Sequence, residues 1–150
     1  MTDVRVAAGP EDAASVAALL IAFRDWMGYP TPAVETVPDT VAKLIDDPNT
    51  VYLLAGDAGF AQLRFRLSAW TAVEDCWLED VFVRESARGT GLGRALVEAA
   101  LEQARSRGCR RIELDVQSDN TGARALYESC GFSSTPKGEV PTFFMSRRLE

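Results

Sequence analysis

Val81-Phe82-Val83, followed after Arg84 to Ala87 by Arg88-Gly89-Thr90-Gly91-Leu92-Gly93-Arg94, reads as a strand, a glycine-rich loop and the start of a helix. Glycines let the backbone approach a bound phosphate closely, and the unpaired N–H groups and dipole at a helix start stabilise its charge. Arg88 and Arg94 can add charge-assisted bonds to the same anion. Two other phosphate loops fail on spacing. The dinucleotide fingerprint needs Gly where Arg94 stands, and the nucleoside triphosphate loop needs Gly-Lys-Ser/Thr. The alternative is a turn that merely precedes a helix.

Downstream of the loop, Gly91 to Arg107 reads as a helix with Val97, Ala100, Leu101 and Ala104 on one side and Gly108 as its stop. Ile112, Leu114 and Val116 mark a strand, Asn120 to Cys130 a helix that Asn120 caps and Gly131 ends, and Val140 to Arg147 a last strand. Ala123, Leu126, Tyr127 and Cys130 share a helical face, which turns Tyr127 toward the sheet. Upstream, Val4 and Val6 give a short strand. A helix then begins at Gly9-Pro10-Glu11-Asp12, with Val16, Leu19, Leu20 and Phe23 as its apolar stripe.

Gly28 to Pro32 breaks that helix, and Thr36 with Asp39 predicts a capping box for a second one carrying Val37, Val41, Leu44 and Ile45. Val51 to Ala55 and Phe60 to Leu67 form a hairpin through Gly56 to Gly59, and Trp77 to Val83 is the next strand. In Phe60 to Leu67, Leu63, Phe65 and Leu67 alternate with Gln62, Arg64 and Arg66, which predicts one buried and one polar face. The order is β-α-α-β-β-β-α-β-α-β, an α/β chain read as a single domain over 1–150.

Two segments together carry a resemblance. Arg-x-x-Gly-x-Gly after a strand (Arg88, Gly91, Gly93) is followed one strand later by Asn120-Thr121-Gly122-Ala123-Arg124-Ala125-Leu126-Tyr127-Glu128-Ser129-Cys130-Gly131-Phe132. The pair resembles the GNAT (GCN5-related) N-acetyltransferase superfamily. Leu78-Glu79-Asp80-Val81-Phe82-Val83 looks like the corresponding strand of diamine and polyamine acetyltransferases. The resemblance implies a three-layer acyl-CoA N-acyltransferase fold, a mixed sheet flanked by helices, whose two central strands splay apart around acetyl-CoA. It also implies that Val81, Phe82 and Val83 offer backbone groups to the acetyl and pantetheine portions. Arg88, Gly89, Thr90, Gly91, Leu92, Gly93 and Arg94 would then cradle the pyrophosphate, Asn120 and Ala123 line the cofactor arm, and Tyr127 stand near the sulfur. A core aromatic is the other reading of Tyr127.

A substrate amine with a pKa of about 10.4 is neutral at pH 7 about once in 2,500 molecules, so the reactive form costs about 4.6 kcal/mol. A base is therefore expected, and Glu79 is the candidate, with Asp80 as a substrate-binding residue. Strand alternation places the two carboxylates on opposite faces unless a bulge re-aims one. The alternative is that they pair with Arg64 or Arg66 on the neighbouring strand. Transfer is expected to be direct. The chain has no histidine, which removes Ser-His-Asp triads, HExxH zinc sites and imidazole acid–base chemistry together.

The bulk properties bound the rest. The net charge of −6 argues against a general nucleic-acid binder. Residues 1–75 hold 5 basic and 11 acidic side chains and residues 76–150 hold 11 of each, so cations concentrate where an anionic cofactor would sit. Cys76, Cys109 and Cys130 form no Cys-x-x-Cys pair and read as buried thiols, with no metal implied. No apolar run spans a bilayer and no leader is evident, which predicts a cytoplasmic protein without a membrane partner.

The expected function is N-acetyl transfer from acetyl-CoA to a primary amine, a small cationic one. Two alternatives remain: a protein N-terminal or lysine acetyltransferase, and a non-catalytic acyl-CoA-binding module. Family analogy adds a homodimer, with Phe143, Phe144 and Met145 as contact residues.

Overall fold

The computed structural model describes residues 3–134 and 140–149. Its five strands run β1 (Arg5–Val6), β2 (Thr50–Ala55), β3 (Gly59–Leu67), β4 (Glu74–Val83) and β5 (Ile112–Glu113), hydrogen-bonded in that order. The pairs from β1 to β4 are antiparallel, and β5 joins β4 in parallel. Helices α1 (Gly9–Met27) and α2 (Val37–Asp46) cover one face, where Val16, Leu19, Val37 and Val41 pack with Tyr52, Leu54, Phe60 and Phe82. Helix α3 (Leu92–Ser106) covers the other, where Leu96 and Ala100 meet Leu53, Ala61, Leu63 and Phe65. Helix α4 (Thr121–Ser129) follows β5.

Because both faces are covered, β3 is not the half-polar strand that its alternation predicts: Gln62 is buried while Leu67, beyond the helices, is 75% exposed. The expected capping box at Thr36 is also absent. A 3-10 turn over Val34–Thr36 runs straight into α2, so Thr36 is already helical and its hydroxyl donates back to Ala33 O at 2.7 Å. Of the cysteines only Cys76 is buried. Cys109 and Cys130 are partly exposed.

The last strand expected over Val140 to Arg147 does not form among the described residues, and Phe143, Phe144 and Met145 are each at least 77% exposed. The ladder of β5 is two residues long and Pro141 has no N–H to donate, so little backbone template is available for pairing.

That short ladder positions the site. β4 and β5 are paired only at Cys76 with Ile112 and Trp77 with Glu113, and beyond Trp77 the two chains part. On the other side of β4 the register to β3 skips Glu79: Gln62 faces Asp80 whereas Leu63 faces Leu78. The strand therefore carries a one-residue bulge at the point where the sheet opens, and such an insertion returns the following side chain to the face it would otherwise leave.

Candidate active site

The parted strands open a cleft of about 1050 Å3, with Glu79 to Val83 on one wall and Asp115, Val116 and Gln117 on the other. The end of α1 and the Tyr29 to Pro32 loop close its second side, and the α3 and α4 starts its third. The cleft brings together Glu79, Asp80, Val81, Phe82, Val83, Arg88, Gly89, Gly91, Leu92, Gly93, Asn120, Ala123 and Tyr127. Thr90 and Arg94 are not in its lining. The Thr90 hydroxyl donates to Ala87 O (2.6 Å), which tightens the loop. Arg94 ion-pairs with Glu98 one turn on (3.1 Å) and donates to Ser129 Oγ (3.0 Å), tying α3 to α4.

The glycine loop leaves backbone N–H groups free at the start of α3. Gly89 and Gly91 have φ of 76° and 84°, a left-handed conformation that a side chain would strain. The first helical bond of α3 runs from Ala95 N–H to Gly91 O (3.0 Å), so the N–H groups of Leu92, Gly93 and Arg94 have no helical acceptor, and Gly91 has no side chain to cap them. Gly93 lets α4 come close: a Cβ there would lie 3.2 Å from Leu126 Cδ2. Asn120 is engaged as the cap of α4, its Oδ1 accepting from Ala123 N–H at 3.2 Å.

Arg88 reaches back across the cleft. Its Nε donates to Val83 O (3.0 Å) and its guanidinium lies 4.2 Å from the centre of the Trp26 ring. Trp26 in turn belongs to an aromatic cluster with Phe23 and Phe82, the last two stacked at 4.9 Å.

The bulge puts both Glu79 and Asp80 on the cleft wall. Neither pairs with Arg64 or Arg66; Arg64 is drawn instead to Asp47 (3.7 Å). Glu79 is exposed whereas Asp80 is half-buried, and burial, together with the charges of Glu79 and Asp115, pushes the Asp80 carboxyl up to about 6. Tyr127, half-buried and packed edge-on against Phe132 (5.8 Å), is held above its ordinary pKa by burial first and then by Asp80 and Asp115. Asp115, Arg24, Trp26 and Tyr29 are cleft residues that motif reading missed. Asp115 lies just past a recognised strand, and the others fall in a stretch with no motif.

Comparison with known proteins fits this geometry. Residues 18–132 match the acetyltransferase (GNAT) family. The chain is 34% identical over 131 residues to a mycothiol acetyltransferase of Beutenbergia cavernae, covering 83% of this chain and 43% of that protein. It is 31% identical over 137 residues to an aminoglycoside N(6')-acetyltransferase type 1 of Stenotrophomonas maltophilia, covering 87% and 86%. A crystal structure from Arthrobacter sp. FB24, provisionally described as an acetyltransferase, superposes with a TM-score of 0.88 at 36% identity over 99% of this chain and 97% of that one. The chain thus spans less than half of the mycothiol enzyme's length.

Proposed function

Because the chain belongs to the acetyltransferase (GNAT) family, we propose that it transfers acetyl from acetyl-CoA to a primary amine, and that the amine is small and cationic. The observation that carries the reading is the opening between β4 and β5, flanked by an uncapped α3 start for the pyrophosphate and by three carboxylates. When bound, acetyl-CoA supplies an activated thioester. The N–H groups of Leu92, Gly93 and Arg94 are suited to the pyrophosphate, and Val81 to Val83 present strand edge to the arm. Arg88, now lying on Trp26, can exchange that ring for a phosphate; Arg94 is already committed to Glu98 and Ser129.

Glu79, Asp80 and Asp115 give the cleft a negative wall that favours a cationic acceptor. Sequence reasoning puts the base at Glu79 and substrate binding at Asp80. Burial supports exchanging these roles. A carboxyl near 6 is ionised at neutral pH yet more basic than an ordinary one, which suits proton removal from an ammonium. Asp80 would take one proton from the ammonium and pass it to solvent. The neutral nitrogen would then attack the thioester carbonyl, and as the C–S bond breaks Tyr127 would give its proton to the sulfur while the second N–H proton, lost as the amide forms, restores the Tyr127 hydroxyl.

Acetyl-CoA should raise the melting temperature while NAD and ATP do not, the stabilisation amounting to about 2.7 kcal/mol at 100 times its dissociation constant. Equal stabilisation by ATP and none by acetyl-CoA would remove the cofactor assignment. Release of CoA over a panel of small amines, set against acetyl transfer to peptides, tests the substrate class. A catalytically silent acyl-CoA binder would show the thermal shift without any release.

Exposed Phe143, Phe144 and Met145 also support a homodimer. Light scattering at high micromolar concentration should give twice the 16.3 kDa chain mass, and a monomer there counts against it.

A further inference from the structure

Leu20, Phe23, Arg24 and Met27 recur at i, i+3, i+4 and i+7 on α1, and all four line the cleft. Phe23 stacks on Phe82, two residues along the strand from Asp80, so this stripe overlies the part of β4 that carries the carboxylate. Arg24 is the one cation on the stripe. Four-fifths of its side chain is buried, the exposed share being 20%, and its Nε is buried without a hydrogen-bond partner.

A guanidinium cannot shed its charge, so a buried N–H left without an acceptor is destabilising. Its recorded ion pair does little to offset that. Asp25, the next residue, is 61% exposed and meets only Nη1, at 2.6 Å. A pair whose carboxylate stands this far in water contributes little. Nε, on the edge of the guanidinium that matches the two oxygens of a carboxylate, is left without an acceptor.

The position of Arg24 separates this ligand from the cofactor's phosphates. The phosphate cradle is the start of α3, which has its own N–H groups, whereas Arg24 sits on α1 beside Trp26, Met27 and Tyr29. Nor is Arg24 spent on the acidic wall. The charges acting on Asp80 are those of Glu79 and Asp115, so the cation and the carboxylates remain two separate poles of one cleft.

We propose that Arg24 is a specificity-determining residue that binds a carboxylate of the acceptor, so that the preferred substrate is an amino acid whose distal amine is acetylated at the Asp80 end. This rests on the acetyltransferase reading and deepens it, because a plain diamine offers no acceptor to the Arg24 Nε.

The test compares L-lysine, L-ornithine and 2,4-diaminobutyrate with cadaverine, putrescine and 1,3-diaminopropane, measuring CoA release at saturating acetyl-CoA. At least one amino acid should exceed its own decarboxylated diamine about 10-fold or more in kcat/KM. Arg24→Met should abolish that preference through KM for the amino acid, costing the amino acids at least about 10-fold more than the diamines and leaving the KM for acetyl-CoA unchanged. Arg24→Lys should keep part of it and guards against a folding defect, with the melting temperature as control. Diamines preferred throughout, equal loss on both series, or a raised KM for acetyl-CoA would overturn the assignment while leaving acetyl transfer intact. Absence of CoA release with every amine would instead bring down the acetyltransferase reading, and this inference with it.

Discussion

Replacing Asp80 by asparagine should cut kcat/KM about 100- to 10,000-fold at pH 7.5, and the folded protein should become more stable at the same pH. The activity loss follows from the base: an amide cannot accept the proton that an attacking ammonium must lose, and general-base catalysis of this kind contributes about 100- to 10,000-fold. The stability gain follows from linkage. The folded pKa of Asp80 is raised from 3.8 to about 6, so folding favours the protonated form. Its contribution is intact below pH 4, is lost as pH rises to about 6, and remains as a constant penalty above that. Two pKa units correspond to about 3 kcal/mol, which water at the half-buried group reduces to about 1–2 kcal/mol. Wild type and Asp80→Asn should therefore melt alike at pH 3.5 and diverge between pH 4 and 6, with the variant higher.

The pH–rate profile supplies an independent check. Wild-type kcat/KM should rise through an apparent pKa near 6, on top of the rise from substrate deprotonation, and the variant should lose the lower step. Glu79→Gln should cost less than Asp80→Asn. The reverse order, with Asp80→Asn near wild type, returns the base to Glu79.

The glycine loop was legible because spacing identifies a strand, a glycine-rich loop and a helix start, and the structure puts Gly89 and Gly91 in the left-handed conformation that favours glycine. Side-chain direction was not. Arg94 satisfies the motif, yet in the structure it pairs with Glu98 and donates to Ser129, a partner 35 residues away. The bulge at Glu79 was equally hidden, since alternation predicts faces only while the register holds, and one extra residue reverses the prediction for everything beyond it. Arg24, Trp26 and Asp115 come to one cleft only when α1 and the chain beyond β5 fold to either side of it, an arrangement of segments about 90 residues apart that no local pattern encodes. The final strand failed for the converse reason. Val140 to Arg147 has apolar residues enough, but strand formation depends on a paired neighbour, and β5 supplies two residues.

Tyr127→Phe should leave the fold and acetyl-CoA binding in place and lower turnover about 10- to 1,000-fold, the loss expected when a proton donor is removed. CoA leaves as a thiolate whose conjugate acid has a pKa near 8.5, so at neutral pH it must end as a thiol. An ordinary tyrosine, with a pKa near 10, is too weak an acid to protonate the sulfur in advance by about 2 kcal/mol. Here burial and the neighbouring Asp80 and Asp115 hold Tyr127 higher still. Advance proton transfer is thus disfavoured, and the hydroxyl acts by donating a hydrogen bond that strengthens as negative charge develops on sulfur and becomes a transfer as the C–S bond breaks. The same shift keeps the donor protonated at neutral pH, so Tyr127 should add no ionisation of its own there, and the profile near pH 6 should persist in Tyr127→Phe. The ring contact with Phe132 is unchanged by the substitution, which separates chemistry from packing. Wild-type turnover by a folded Tyr127→Phe protein at saturating acetyl-CoA would make Tyr127 a packing residue and leave protonation of the sulfur to solvent.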